Sequence, residues 1–558
     1  MPTLTWVGKD KVVNHHHDVP FKVLQQQSRF DAPDGSPANS TDNRIIHGDN
    51  LEALKSLLPE FEGKVNCIYI DPPYNTGNEG WAYNDAVNDP KIRKWLGQVV
   101  GKEGEDLSRH DKWLCMMYPR LKLLHRLLAK DGVIFISIDD NEQATLKLLM
   151  DEIFGLKRRI ATITLLCNPK GRSQDKYFGT SHEYLMAYSK TELPAESFSV
   201  EKNDEAVLKD YKLIDSFGRY RLMGLRNSHR EFNKQTRPNL FYPLYVNPIS
   251  KTVSIDKTDE YNIELLPLWS DGFEGCWTWG VGLAKQDSHL LAAKQIKGRW
   301  EVSRKSYAIK EGEKVRKKLF TIWNDTDFRT EVGQRVFGEI FENSSKLDFP
   351  QPKSVALIQE ALCTCTKNNA IILDSFAGSG TTAHAVLKLN AQDGGNRRFI
   401  LIEMEDYADT ITAERVRRVM SGYGEGNKQV PGLGGSFAYY TVGEPIFNSD
   451  DTLNEAVGID VIRNYVTYSE GIPSEDQTAQ VNAYSPYLMG LNSDTAWLFY
   501  YEPKQVTCLD LDFLGLLKFG AAKPGAAIIY ADKCLLTKAF MTKYGIIFKK
   551  IPRDITRF

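Results

Sequence analysis

The 558-residue chain reads as an α/β protein built on a doubly wound parallel sheet, split by a long insert and followed by a C-terminal α+β module. Three observations predict this. Between residues 41 and 190, short apolar runs alternate with amphipathic stretches, the rhythm of parallel strands joined by crossover helices. The same rhythm returns between 346 and 425, after a long stretch that lacks it. Two of the apolar runs end abruptly, one in a double proline and one in a glycine loop, at the strand ends where such sheets bind ligands.

Element by element, residues 1–40 form a polar leader that ends rich in Pro, Asp and Ser. IIHGDNLEALKSL predicts a short strand, a Gly-Asp-Asn turn and a helix with Leu51, Leu54, Leu57 and Leu58 on one face. VNCIYI (Val65–Ile70) is the next strand. PRLKLLHRLLAKDG predicts an amphipathic helix stopped by Asp131-Gly132, GVIFISIDD a strand, and NEQATLKLLMDEIF a helix capped by Asn141. These elements make up the first half of the core, residues 41–190. From 191 to 345 aromatic and basic residues are irregularly spaced, which predicts an inserted domain. In the second half, 346–425, SVALIQEAL is a helix, AIILDSFAGSG a strand and glycine loop, TTAHAVLKLN a helix and RRFILIEME a strand. A glycine-rich stretch leads into the C-terminal domain, 426–558.

Hydrophobic residues make up 42% and charged residues 25%, ordinary values for a globular protein. No run of 18 apolar residues and no apolar signal core appears, so a cytoplasmic protein with no membrane partner is expected. The eight cysteines lack CxxC spacing and read as reduced core residues. His15–His17 read as part of a solvated tail, and no metal site is expected. With a net charge of −2, any nucleic-acid surface must come from local patches.

Two stretches carry chemistry. In DPPYNTG (Asp71–Gly77), Pro72 and Pro73 end the strand and fix the following torsions. A stiff platform results, bearing the Asp71 carboxylate, the Pro72 carbonyl and the Tyr74 ring. That set can accept hydrogen bonds from an amino group and stack on the ring system that carries it. Its plain structural reading is a proline turn at a strand end. In DSFAGSGTTA, Gly378 and Gly380 at a strand-to-helix turn admit a ligand close to the backbone. Thr381 and Thr382 follow Gly380, so the G-K-[ST] of a triphosphate loop is missing. Glu403 ends the next strand, where an acid takes a ribose hydroxyl pair, and a nucleoside-containing ligand is favoured.

Together DPPYNTG, FAGSG and LIEME resemble the motifs of S-adenosylmethionine-dependent DNA amino-methyltransferases. The catalytic motif precedes the cofactor motif with a long insert between, as in the circularly permuted β class. HGDNLEAL, SHEYLMAYSK, IWNDTDFRTEVGQ and FPQPKSVALIQEAL extend the likeness to the modification (Mod) subunits of type III restriction-modification systems. The resemblance implies a Rossmann-like methyltransferase domain and an insert, 191–345, that recognises the DNA target. It also implies a homodimer and either a restriction (ATPase and nuclease) partner or, given the chain's length, a free-standing orphan enzyme.

The implied reaction is methyl transfer from S-adenosyl-L-methionine to N6 of an adenine flipped out of double-stranded DNA. Asp71, Pro72, Pro73 and Tyr74 are the implied catalytic residues. Cofactor contacts are implied for Asp49, Asn50, Lys353, Asp374, Phe376, Ala377, Gly378, Gly380, Thr381 and Glu403. Among these, Lys353 would pair with the methionine carboxylate and Asp49 and Asn50 would sit near the adenine edge. Helix capping is the competing reading of Asp49.

For DNA contact, residues 285–318 hold eleven Lys or Arg against four Asp or Glu, among them Arg304 and Lys305. Arg219, Arg221, Arg226 and Arg230 form a second basic stretch, and Lys170 and Arg172 lie in a loop expected near the flipped base. Three other readings stay open: cytosine-N4 methylation, a non-catalytic DNA-specificity subunit, and, resting on the glycine loop alone, a dinucleotide oxidoreductase.

Overall fold

The computed structural model describes residues 4–76, 107–171, 175–194, 197–201, 204–296, 298–310, 313–314, 316–342, 349, 351–478 and 484–553. It divides into two compact units, one of residues 1–197 and 320–558, the other of 198–319.

The first unit is built on a ten-stranded mixed sheet. From edge to edge its strands are Lys22–Asp31, Ser436–Pro445, Asn43–His47, Arg398–Glu403, Ile371–Asp374, Val65–Ile70, Leu128–Ile138, His182–Ser189, Arg159–Leu166 and Ile322–Trp323. The six strands from Ser436–Pro445 to Leu128–Ile138 run parallel. The central ones are almost wholly buried, as expected of strands covered on both faces. Helices Asn50–Phe61, Leu107–Leu127, Gln143–Ile153, Val355–Cys365 and Thr381–Asp393 flank the sheet, and Leu54, Leu58, Trp113, Leu121 and Ile134 sit in its main core.

The strand order fixes where a ligand can bind. From Val65–Ile70 the chain crosses to the neighbour on one side, Leu128–Ile138. From Ile371–Asp374 it crosses to the neighbour on the other, Arg398–Glu403. The two central strands are therefore a topological switch point, with a crevice outside their carboxyl ends. Asp71 and Ser375 begin the loops that leave those ends.

Several elements depart from the sequence reading. The leader is structured: Lys22–Asp31 pairs antiparallel with Ser436–Pro445 and covers that edge of the sheet. His15 and His16 are buried in a short helix, and Lys55 donates to the carbonyls of His16 and His17, so the expected solvated tail is a packed one. The helix expected to stop at Asp131-Gly132 gives way to strand at Leu128, because Leu128 already pairs with Val65. Asn141 does not cap the next helix; its amides donate to Asp139 instead. Residues 320–342, expected in the insert, belong to the first unit through strand Ile322–Trp323, which pairs with Arg159–Leu166, and helix Thr330–Ile340.

The second unit carries its own core around Leu225, Tyr242, Leu244, Trp277 and Val302. Its four-stranded antiparallel sheet runs Leu291–Ile296, Arg299–Tyr307, Gly218–Gly224, Leu213–Asp215. Within the first unit, the C-terminal region adds a four-stranded sheet, Leu488–Leu491, Thr495–Phe499, Ala526–Ala531 and Ile546–Lys550. No helix among the described residues is long and apolar enough to cross a membrane. The cysteines are free thiols, and the described residues hold no cluster arranged for a metal ion.

Candidate active site

At the crevice outside the two central strands lies a cavity of about 270 Å³, near the lower end of small-ligand pockets, roughly 300–1,000 Å³. Asp71, Pro72, Pro73 and Tyr74 form one wall; Asp374, Phe376, Ala377, Gly378, Thr381 and Glu403 form another. Two motifs some 300 residues apart thus meet in one space.

The platform is held from behind. Trp113 Nε1, on helix Leu107–Leu127, donates to the Pro73 carbonyl at 2.8 Å. Asn75 adopts φ 60°, a left-handed conformation that Asn tolerates better than most residues. Its side-chain amide donates to Glu142, which also faces His110 Nδ1 at 2.6 Å. The loop is thereby fixed against two helices.

Around Asp71 the charges are arranged tightly. Lys353 Nζ lies 3.4 Å from Asp71 Oδ1 and donates to Tyr74 Oη at 2.6 Å and to Glu183 Oε2 at 2.7 Å. Tyr74 Oη donates to Glu183 Oε2 at 3.0 Å. Asp71 Oδ1 is buried, and the Lys353 ammonium at 3.4 Å is its ion-pair partner. Burial pushes the Asp71 carboxyl above its usual range; Lys353 opposes that and Glu183 adds to it. Burial also acts to lower Lys353, but the carboxylates of Asp71 and Glu183 outweigh it and hold the ammonium above the ordinary lysine range.

On the opposite wall Glu403 is 1% exposed. Gly378 N donates to its Oε2 at 2.7 Å, and Met404 N and Glu405 N donate to Oε1 at 2.9 and 3.0 Å. Burial lifts the carboxyl to about 7 despite these bonds. Asp374, also lifted by burial to about 7, accepts from Thr382 Oγ1 at 2.5 Å and Phe376 N at 3.0 Å, which ties the start of the loop to its helix. Gly378 and Gly380 have φ of 51° and 77°, and a Cβ on Gly380 would lie 2.9 Å from the Thr412 carbonyl oxygen. Gly380 therefore serves the loop's packing against Thr412.

Asp49, Asn50 and Gly380 do not line the cavity. Asp49 caps its helix, accepting from Leu51 N and Glu52 N, the reading that competed with a ligand contact. Asn50 donates to the Ser375 carbonyl at 3.1 Å and accepts from Arg120 Nε, so it braces the glycine loop from behind. Lys353 stands among Asp71, Tyr74 and Glu183.

Of the expected DNA contacts, Lys170 lines a second cavity of about 440 Å³ with Cys167, Thr180, His182, Glu183 and Arg329; Arg172 lies outside the described residues. In the second unit, Arg226 and Arg230 lie over the Trp269 ring at 4.7 and 4.8 Å, and Arg230 pairs with Asp271 at 2.5 Å. Arg221 lies over Tyr211, Arg304 over Trp279, and Lys305 pairs with Asp215 at 2.6 Å, while Arg219 is exposed. Much of the basic stretch is thus engaged inside its own unit.

Sequence reasoning missed Glu183, Phe349 and Tyr407, which lie beside or line the cavity. Glu183 and Phe349 lie in SHEYLMAYSK and FPQPKSVALIQEAL, stretches that carry the family likeness without naming a role for either; Glu183 reaches Tyr74 because its strand, His182–Ser189, lies two places from Val65–Ile70 in the sheet.

Comparison with known proteins places this geometry. The DNA methylase family model matches residues 65–414. The chain is 33% identical over 420 residues to the type III restriction-modification enzyme EcoPI Mod subunit of Escherichia phage P1, covering 72% of this chain and 64% of that protein. It is 36% identical over 371 residues to the type II methyltransferase M.KpnI of Klebsiella pneumoniae, covering 66% and 82%. It is 28% identical over 460 residues to the StyLTI Mod subunit of Salmonella typhimurium strain LT2, covering 77% and 64%. The chain spans just under two thirds of the length of both Mod subunits. With the family match running from the strand ahead of Asp71 to beyond Glu403, the chain belongs to the DNA methylase family.

Proposed function

We propose that the protein transfers a methyl group from S-adenosyl-L-methionine to N6 of an adenine flipped out of duplex DNA, as the modification component of a restriction-modification system. One observation carries this reading: the Asp71–Tyr74 platform and the Phe376–Gly378 loop line a single cavity at the switch point of the sheet.

The residues fit the cofactor. Ala377 and Gly378 leave the loop wall without bulk, and Glu403 offers a buried carboxylate with lone pairs beyond those its three amide donors use. Phe376, Ala377, Gly378, Thr381 and Glu403 would hold it, with Glu403 on the ribose hydroxyls. When bound, the cofactor supplies an electrophilic methyl sulfonium.

The remaining work falls to the platform. The adenine N6 lone pair is delocalised into the ring and is a poor nucleophile. Asp71 and the Pro72 carbonyl accept its two N–H groups, drawing the nitrogen towards tetrahedral geometry and directing its lone pair at the methyl. Asp71 Oδ1, buried and held among the described residues only by the long Lys353 contact at 3.4 Å, has acceptor capacity for such a donor. Tyr74 stacks on the base and offsets part of the flipping cost, roughly a few kcal/mol. Proximity of two bound reactants supplies much of the rate, and no covalent enzyme intermediate is needed. An Asp at the first platform position favours adenine over cytosine by resemblance to the adenine enzymes. The second unit is the target-recognition element, and the late position of the cofactor strand supports the permuted order of the β class. A homodimer and a restriction partner belong to the same reading.

The test is direct. Incubated with radiolabelled S-adenosylmethionine and unmethylated duplex DNA, the protein labels adenine; Asp71→Ala abolishes labelling yet still binds S-adenosylhomocysteine. Label on cytosine alone overturns the adenine assignment, and no label with cofactor bound favours a specificity subunit.

A further inference from the structure

Lys353 covers the acceptor that the target base needs. Its ammonium lies 3.4 Å from Asp71 Oδ1, the buried oxygen it pairs with, and 2.6 Å from Tyr74 Oη. While it stays there, no amino group can reach Asp71 Oδ1; against Tyr74 it sits at the hydroxyl end, 2.6 Å from Oη, and leaves the ring faces open. The same ammonium has a second carboxylate within reach, Glu183 Oε2 at 2.7 Å, on a different strand from the platform. Glu183 also lines the cavity that holds Lys170, and Gln351 lines both cavities. The backbone delivers Lys353 to this point through a close approach: a Cβ on Gly333 would collide with the Pro352 carbonyl and press on the backbone of Lys353.

We propose that Lys353 is a positioning residue that occupies the Asp71 acceptor of the target-base site in the resting enzyme and withdraws onto Glu183 when the base arrives. The inference rests on the assignment of Asp71 and Tyr74 as the pair that holds the base. It gives Lys353 a role different from pairing with the cofactor carboxylate. An ammonium shared by two carboxylates can release one without losing its charge partner, whereas an ammonium on Asp71 alone would block the amino group. Before the base enters, the charge also keeps Asp71 ionised as an acceptor against burial. The other groups facing Asp71 are Glu183, Tyr74, Tyr69, Asp374 and Cys167; Glu183 bears on it most strongly after Lys353.

The experiment compares the full-length wild type with Lys353→Met, Lys353→Arg and Glu183→Gln. The readouts are kcat/KM for methylation of unmethylated duplex DNA as a function of pH, and S-adenosylhomocysteine affinity by calorimetry. Removing the Lys353 charge should move the acid limb to higher pH, and removing the Glu183 charge should move it to lower pH, each by about one unit. Lys353→Met should lose about tenfold or more in kcat/KM, Lys353→Arg should recover most of it, and inhibitor affinity should be unchanged throughout. Opposite shifts are the signature, because structural damage lowers rates without moving the limb in two directions. If Lys353→Met does not fold, Glu183→Gln must still move the limb downward. The proposal is overturned if Lys353→Met weakens inhibitor binding in proportion to its loss of rate, or if neither limb moves. A wild type that labels no DNA overturns the methyl-transfer reading and this inference with it; unmoved limbs in an active enzyme overturn the inference alone.

Discussion

Burial lifts Glu403 from 4.5 to about 7 even though three backbone amides donate to its oxygens, so it is half protonated near neutrality in the ligand-free protein. A carboxyl raised on folding binds more protons in the native state than in the unfolded chain between the two values. Its contribution to stability is full below about 4.5 and is lost as pH rises through about 7, a change on the order of 3 kcal/mol. Glu403→Gln should therefore gain stability relative to wild type as pH rises across that window. Urea denaturation at a series of pH values measures the difference, and a constant gap would mean that Glu403 is not raised. Since ribose hydroxyls donate best to the ionised form, S-adenosylhomocysteine binding near pH 6 should release protons, detectable by calorimetry in buffers of different ionisation enthalpy. The meeting of Asp71, Tyr74, Phe376, Gly378 and Glu403 was legible in the sequence because each ends a strand or opens its loop within a recognisable local pattern. Glu183 was not: SHEYLMAYSK carries a family likeness but no chemical role for its acid, and the contact is set by sheet order.

Helix Thr330–Ile340 shows how an element's sequence can be misassigned while its role is plain in the fold. Its basic and polar neighbours read as part of the insert, yet the helix packs with the first unit, and Gly333 in its interior allows the Pro352-Lys353 segment to lie against it. Glycine inside a helix costs roughly 0.5–1 kcal/mol relative to alanine, so propensity alone favours substitution here. Close approach reverses the sign. Gly333→Ala should destabilise the protein by about 1–3 kcal/mol, as overpacking does, and lower kcat by displacing Lys353. Thermal melting together with initial rates checks both effects, and a stabilised, fully active variant would show the approach to be slack. The alternating strand and helix rhythm was readable across the core because parallel strands buried on both faces are nearly continuous apolar runs. The leader strand was not, because it covers an edge and its burial pattern is mostly exposed.

At the scale of the whole molecule, the second unit enters and leaves the chain at one place. Leu319 N donates to the Phe198 carbonyl at 3.5 Å, and Arg316–Lys318 pairs antiparallel with Ser199–Glu201 just inside that junction. The unit's core is assembled from its own residues, and the main core of the first unit draws none from 198–319. Sequence composition marked the insert as different but set its limits too wide, because the irregular spacing continues beyond the junction into residues that pair with the sheet. Two cores and one junction make the parts separable. Replacing 198–319 with a short Gly/Ser linker should leave a folded protein, since closing a loop across adjacent ends costs little and lengthening it only slowly more. If the second unit recognises the target, the excised protein should bind S-adenosylhomocysteine within about threefold of wild type, a difference below about 1 kcal/mol. It should lose retention on duplex DNA and methyl transfer together. Calorimetry and a salt-dependent DNA-binding assay separate the outcomes: DNA binding that survives excision with an undiminished salt slope would place the phosphate contacts in the first unit, where Lys170 and Glu183 line one cavity.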